Sequence, residues 1–222
     1  MKPEVILALD VDNFKAAKRF VDRLYPAIKT FKVGVQLFTL AGPTTIKYIN
    51  KKGGRVFLDL KFFDIPHTVA GAVRHAVQLG VKMFTLHILG DEDMLKAALK
   101  AAKEEAGRLR VKRPLLIGVT VLTSKEANFN EVLTLAKMGL ECGLDGVVCS
   151  AKEARLLRKK IRKKFVIVTP GIRPAGAMRY DQKRTATVEE AIAAGSNFLV
   201  VGRPILEAKD PLAAARRIIK SA

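Results

Sequence analysis

Arg55-Val56-Phe57-Leu58-Asp59-Leu60, then Thr68–Leu79, then Met83-Phe84-Thr85-Leu86-His87: these three segments decide the fold. The first and last are short and mostly apolar, as expected of parallel strands covered on both faces. The middle segment has a helical pattern, and Leu79-Gly80 falls where a helix should end before the next strand.

The alternation continues outward in both directions. Further strands are predicted near Val5–Leu9, Thr30–Val35, Leu115–Val121, Gly146–Cys149, Val166–Thr169 and Phe198–Val201. Helices are predicted over Asn13–Leu24, Thr44–Lys52, Asp91–Ala106, Asn130–Cys142, Ala151–Ile161 and Pro211–Ser221. Asp210 is placed to cap the last helix, with Pro211 in its first turn. Lys51-Lys52-Gly53-Gly54 marks another helix-to-strand break. Eight strands alternating with helices favour a closed parallel barrel over an open sheet. The chain has 222 residues and no composition break, so one α/β domain over residues 1–222, a (β/α)8 TIM barrel, is expected.

Composition agrees with a packed core: 49% of residues are hydrophobic and 27% charged. Trp is absent, which leaves Val, Ile, Leu and Ala to fill the interior. Forty Lys and Arg against 21 Asp and Glu give a net charge of +19. That field favours anions in general: substrates, nucleic acid or an anionic membrane surface. The two cysteines, Cys142 and Cys149, form no C-x-x-C pair and suit reduced thiols in a cytoplasmic protein. Glu4 and Asp10 interrupt the N-terminal segment, so neither a signal peptide nor a membrane span is expected.

Charged residues gather where these strands end, at the face where barrel enzymes keep their active sites. Asp10 ends the first strand, Lys32 lies inside the second, and Asp59 and Lys61 end the third. Asp64 follows in a loop restrained by Pro66. Strand side chains alternate, so Asp59 and Lys61 should share one side and Leu58 and Leu60 the other. Charges in a confined interior need partners. Two lysines and two aspartates are formally neutral together, so they could form a buried network. Thr120 and Thr123 close the fifth strand, Pro170 and Gly171 the seventh, and Gly202 and Arg203 the eighth. The irregular stretch Gly171–Thr185, with Arg173, Arg179 and Gln182, is a candidate lid.

The element Asp59-x-Lys61-x-x-Asp64-Ile65-Pro66 resembles that of the orotidine 5′-phosphate decarboxylases, particularly the bacterial type. So do Leu7-Ala8-Leu9-Asp10, Phe31-Lys32-Val33-Gly34, Val119-Thr120-Val121-Leu122-Thr123-Ser124, Cys142-Gly143-Leu144-Asp145-Gly146-Val147-Val148, Val168-Thr169-Pro170-Gly171-Ile172-Arg173-Pro174 and Val201-Gly202-Arg203-Pro204. The matches keep their order and cover essentially the whole chain. The resemblance implies a cofactor-free homodimer that converts orotidine 5′-phosphate to UMP. Lys32, Asp59, Lys61 and Asp64 would be its charged tetrad, with Lys61 giving the proton to C6. Asp64, with Thr68 nearby, would reach into the partner's site. Asp10 and Lys32 would contact the ribose region and Thr123 the pyrimidine. Arg173, Gln182, Gly202 and Arg203 would surround the phosphate and the closing loop.

These residue types suit that chemistry. Departure of carbon dioxide from C6 leaves a localised carbanion, which a fixed ammonium stabilises and then protonates. Asp59, beside the departing carboxylate, would disfavour the ground state. Glycine lets backbone approach a phosphate, and arginine binds one as a fork.

Two other readings draw on the same residues. Magnesium-dependent sugar-phosphate decarboxylases or aldolases of the same superfamily share Asp-x-Lys-x-x-Asp but carry a metal-binding Glu where this chain has Lys32. A basic nucleic-acid-binding barrel is suggested by Arg108–Arg113 and Arg155–Lys164, although no reading motif accompanies those runs and a solvated helix face or loop explains them. His67, His75 and His87 show no metal-ligand spacing, and for His87 a structural role is favoured over a catalytic one.

Overall fold

The computed structural model describes residues 2–122, 128–173 and 185–222. Eight parallel strands close into a barrel in chain order, with the last against the first. They are β1 (Glu4–Ala8), β2 (Thr30–Gly34), β3 (Arg55–Phe62), β4 (Met83–His87), β5 (Leu115–Val119), β6 (Gly146–Val148), β7 (Val166–Thr169) and β8 (Phe198–Val201). Around them lie α1 (Phe14–Leu24), α2 (Val35–Ala41), α3 (Pro43–Lys51), α4 (Pro66–Gln78), α5 (Asp91–Leu109), α6 (Phe129–Glu141), α7 (Ala151–Lys160), α8 (Val188–Ala193), α9 (Arg203–Leu206) and α10 (Pro211–Ser221). The (β/α)8 fold expected from the sequence is the fold observed. No helix among the described residues is long and apolar enough to cross a membrane.

Strands β4, β7 and β8 and helix α10 fall on their predicted bounds, and Asp210 accepts from the N–H groups of Leu212 and Ala213 at the start of α10. Differences gather where local chemistry overrides pattern. Val35-Gln36-Leu37-Phe38 continues the apolar run of β2, yet the chain turns into α2 at Val35. Helix α4 begins at Pro66, two residues before its predicted start, because proline suits the first helical turn. Helix α8 was not predicted, although Thr187 and Glu190 form a capping box at its start. The turns α9 and Ile88–Gly90 (a single 3₁₀ turn) are too short to leave a periodic signature.

The core has two compartments. One fills the space between barrel and helices, with Leu7, Phe31, Val56, Phe84, Leu116 and Leu199 pointing outward. The other lies inside the barrel and contains Ile6, Ala8, Phe57, Met83, Ile117, Val168 and Val200. Period-two alternation assigns these faces: Phe31 turns outward and Lys32 inward. Beneath the inner apolar layer, Thr30 donates to Glu4, and the Lys82 ammonium lies 2.6 Å from the same carboxylate. Above it the interior becomes charged.

Both basic runs sit at helix C-terminal ends and the loops after them, at the opposite end of the barrel from the charged mouth. They are less fully solvated than expected. Arg158 donates to Gly195 O at 2.9 Å and Asn197 Oδ1 at 2.7 Å and lies over the Phe165 ring. Arg113 makes a two-pronged contact with Asp145 at 2.7 and 2.8 Å.

Candidate active site

Strand β3 carries the transition from core to site. Its inward positions run Phe57, Asp59, Lys61, so a buried ring gives way to a carboxylate and an ammonium within four residues. Lys61 does not sit in regular strand geometry: its φ is +51°, and the pairing of β3 with β4 shifts register between Leu58 and Phe62. Such an irregularity re-aims a side chain at a barrel rim. Asp59 and Lys61 pair as strand alternation predicts, but through a left-handed Lys61 backbone rather than a regular strand.

A continuous chain of contacts links four of the expected residues. Lys32 Nζ is 2.9 Å from Asp10 Oδ1 and 3.7 Å from Asp59 Oδ2, and Lys61 Nζ is 3.0 Å from Asp59 Oδ2. Side-chain exposure falls from 54% at Asp10 to 12% at Lys32 and 14% at Asp59, so the middle of the chain is shielded from water. Burial acts most strongly on Asp59 and opposes its charge. The attraction of Lys32 and Lys61, with hydrogen bonds from Lys61 and Thr85, outweighs it and holds the carboxyl below its usual range. For Lys32, burial again opposes the charge, and Asp59 and Asp10 together keep the ammonium above its ordinary value.

Thr85, on β4, was not singled out in the sequence. Its hydroxyl is fully buried, donates to Asp59 Oδ1 at 2.9 Å, and accepts the Lys61 backbone N–H at 2.9 Å. One hydroxyl therefore braces the aspartate and the irregular backbone of the lysine. Its signal was a hydroxyl inside an otherwise apolar strand, two residues before His87. Gly34 ends the Phe31-Lys32-Val33-Gly34 motif and carries no role from the sequence. A Cβ there would stand 3.0 Å from Lys32 Nζ and 3.5 Å from Asp10 Oδ1, so the glycine leaves room for that ion pair. His87 packs its ring against Phe63, centroids 5.6 Å apart. Burial first, and then Lys61, push its pKa down, which leaves the imidazole neutral at pH 7.

These groups open into a cavity of about 610 Å³ at the C-terminal ends of the strands. Asp10, Lys32, Asp59 and Lys61 line it, and so do Gly171, Arg173, Gly202 and Arg203, with Gly202 beside Asp10. Arg173 is buried and donates to Ile172 O at 3.0 Å. Gln36 and Glu207, neither picked out from the sequence, also line the cavity. Gln36 donates to Asp12 at 2.8 Å. Thr120 is fully buried and donates to Val148 O at 3.2 Å, a contact within the barrel wall. Asp64 and Thr68 are exposed and stand outside the ion-pair chain; Asp64 Oδ1 accepts the Ile65 N–H at 2.7 Å. Thr123, Arg179 and Gln182 lie outside the described residues, as does most of the candidate lid.

Fold and site together define a (β/α)8 barrel with a lysine–aspartate cluster and an arginine-bearing wall around one mouth cavity. Comparison with known proteins narrows that class. The model of the orotidine 5′-phosphate decarboxylase / HUMPS family matches residues 3–218, and the chain belongs to that family. It is 48% identical to the orotidine 5′-phosphate decarboxylase of Moorella thermoacetica, over 98% of this chain and 91% of that one. It is 49% identical to that of Vibrio cholerae, over 94% of each. The crystal structure of orotidine 5′-phosphate decarboxylase from Lactobacillus acidophilus matches with a TM-score of 0.86 and 37% identity over 99% of both chains.

Proposed function

We propose that this chain decarboxylates orotidine 5′-monophosphate to uridine 5′-monophosphate, the last step of UMP synthesis. The observation that carries the reading is the Lys32–Asp59–Lys61 chain, shielded at one wall of the cavity. In this reading Gly202 and Arg203, with Arg173, receive the phosphate, while Asp10 and Lys32 receive the ribose. C6 then lies beside Lys61. As carbon dioxide leaves, the Lys61 ammonium stabilises the electron pair on C6 and transfers its proton there. Lys32 anchors Asp59, whose carboxylate faces the departing group. Thr123 and Gln182 complete the pyrimidine and phosphate contacts.

The magnesium-dependent alternative within the superfamily fits these residues poorly. Lys32 places an ammonium between Asp10 and Asp59, so each carboxylate already has a cationic partner and an incoming divalent ion meets repulsion. The test is the loss of pyrimidine absorbance on adding orotidine 5′-monophosphate, with and without a chelator. Turnover unaffected by chelation is expected; no turnover, or a strict need for a divalent ion, overturns the proposal.

The working unit is a homodimer in which Asp64 and Thr68 of each subunit complete the site of the other. Val35, Leu40, Phe63, Ile65 and Leu89 are each 54–65% exposed on the segments following β2, β3 and β4, which are neighbours around the barrel. An apolar patch of that kind favours association. Asp64 stands amid it, out of reach of its own Lys61 chain. Mixing Asp64→Asn subunits with Lys61→Ala subunits should restore activity through one intact site per mixed dimer; no recovery despite proven subunit exchange rejects the arrangement. Cys142 and Cys149, both buried and in no disulfide, suit the cytoplasm, where thiols stay reduced.

A further inference from the structure

The end of the barrel opposite the cavity carries a second charged cluster that decarboxylation does not use. Lys29, Arg55, Lys82 and Arg113 stand at or just before the first residues of β2, β3, β4 and β5. Backbone bonds lace these starts together: Arg55 N–H to Lys29 O at 2.7 Å, Lys82 N–H to Val56 O at 2.8 Å, Leu115 N–H to Lys82 O at 3.0 Å. Rigid strand ends, rather than mobile loops, therefore set the spacing of the cations.

Arg55, Lys82, Lys112 and Arg113 line one cleft of about 360 Å³, with Gly54 and Gly80 leaving part of its wall without side chains. Glu4 pairs with Lys82 at 2.6 Å and Asp145 with Arg113 at 2.7 Å. Among the described residues, neither Arg55 nor Lys112 forms an ion pair. Four cations against two carboxylates leave two positive charges unbalanced. An adjoining cleft of about 310 Å³ brings Lys2 and Lys29 to the other side of Arg55. Burial foremost, and also repulsion from Arg55 and Lys112, hold Lys82 below its ordinary pKa even with Glu4 beside it. Neutralising helix dipoles does not account for these four, since each lies beyond the last turn of the preceding helix.

We propose that this cleft is a second, non-catalytic anion site that takes a ligand with two or more contiguous phosphoryl groups. A phosphoryl group carries about −1.5 to −2 charge and accepts the forked arginine and point-charge lysine donors present here. With Lys2 and Lys29 of the adjoining cleft counted, six cations face Glu4 and Asp145, and a surplus of four positive charges is matched better by two such groups than by a single carboxylate or phosphate. The site lies four residues along β3 from Asp59, about 13 Å at strand spacing, so it is separate from the substrate cavity.

The test is calorimetric titration of the intact protein with inorganic tripolyphosphate at about 0.15 M salt, where non-specific attraction is screened. Saturable binding is expected, with orthophosphate and citrate binding at least about tenfold more weakly. Arg55 and Lys112 are exposed, so Arg55→Gln/Lys112→Gln should fold normally and keep its decarboxylase activity. It should lose tripolyphosphate binding by about tenfold or more. Arg203→Ala, in the catalytic cavity, should bind tripolyphosphate as wild type does. A ten-nucleotide RNA distinguishes the source of the phosphates. If it displaces tripolyphosphate, and the double variant abolishes that, the ligand is a phosphodiester backbone, whose singly charged phosphates are not contiguous, and the proposal is overturned; if it does not displace, the ligand is a free oligophosphate. The proposal is overturned by non-saturable binding, by citrate binding equally well, by an unaffected double variant, or by loss of binding in Arg203→Ala alone.

Discussion

Replacing Thr85 with valine removes one hydroxyl and two hydrogen bonds while changing volume little. Asp59 Oδ1 loses a donor at 2.9 Å, and the Lys61 backbone N–H loses its acceptor at 2.9 Å. A hydrogen bond to a charged group contributes about 1.5–3 kcal/mol, and leaving a buried donor unsatisfied costs about 1–3 kcal/mol. One hydroxyl serves both, so the terms do not simply add, and a loss of about 2–4 kcal/mol in folding stability is expected. The catalytic effect is separate. Lys61 holds a left-handed backbone at φ +51°, and the Thr85 contact is one of the bonds that fixes it there. Once released, the lysine backbone relaxes and its ammonium shifts. Misplacement on the scale of 1 Å can reduce rate by about a hundredfold, so kcat should fall about 10- to 100-fold with a smaller change in KM. Urea unfolding gives the first quantity and steady-state decarboxylation the second. Thr85→Ser, which keeps the hydroxyl, should recover most of both. If Thr85→Val loses stability while kcat stays at the wild-type value, or if serine behaves like valine, the bracing argument is wrong.

Lys61→Ala should abolish decarboxylation while circular dichroism and size-exclusion profiles remain those of the wild type, because the lysine is at the cavity surface and one-third exposed. Arg203→Ala should lower kcat/KM by about 1.5–3 kcal/mol in transition-state terms, the value of a charge-assisted contact; near wild-type kcat/KM would remove Arg203 from the phosphate site. Gly34→Ala places a methyl group 3.0 Å from Lys32 Nζ and should reduce activity more than stability, measured side by side by turnover and by urea midpoint. The folded pKa of Asp59 lies below the ordinary 3.8, so its stabilising effect is complete above that value and lost as pH falls further. The stability gap between wild type and Asp59→Asn should accordingly narrow as the pH drops below about 3.8, and a widening gap in acid unfolding would contradict the assignment.

The fold was legible because barrel strands and helices announce themselves through different apolar periods, and each helix of α/β barrels must end before the next strand begins. Strand ends were legible to within two residues for the same reason. Less visible were elements set by a single residue's conformation. Alternation foretells that Asp59 and Lys61 meet, but the left-handed Lys61 and the shift against β4 depend on a hydroxyl two strand residues from His87. Helix α2 stayed hidden since Val35-Gln36-Leu37 satisfies strand and helix patterns equally. Asp64 was expected in the charged network from its offset to Lys61 and from the resemblance; within one chain it is exposed and outside the ion-pair chain, and a contact with a second subunit is the role proposed for it.

The site and the opposite face follow from one constraint of barrel architecture. The interior is filled with apolar side chains at mid-height, so charge can be held only at the two ends, and there it must be balanced or brought to solvent. At the C-terminal end, Asp10, Lys32, Asp59 and Lys61 balance in pairs. That balance lets a buried carboxylate and ammonium stay ionised side by side, yet Lys61 keeps one-third of its surface open to the cavity. An ammonium held by one aspartate and still accessible is poised to meet negative charge that appears during reaction, with no need to be drawn out of a closed ion pair. At the other end the same logic is left incomplete, since Glu4 and Asp145 match only half the cations around their cleft. Neutrality within the lysine–aspartate chain fits a site that must discriminate between ground and transition states; surplus charge at the base fits a surface whose counter-charge arrives from outside.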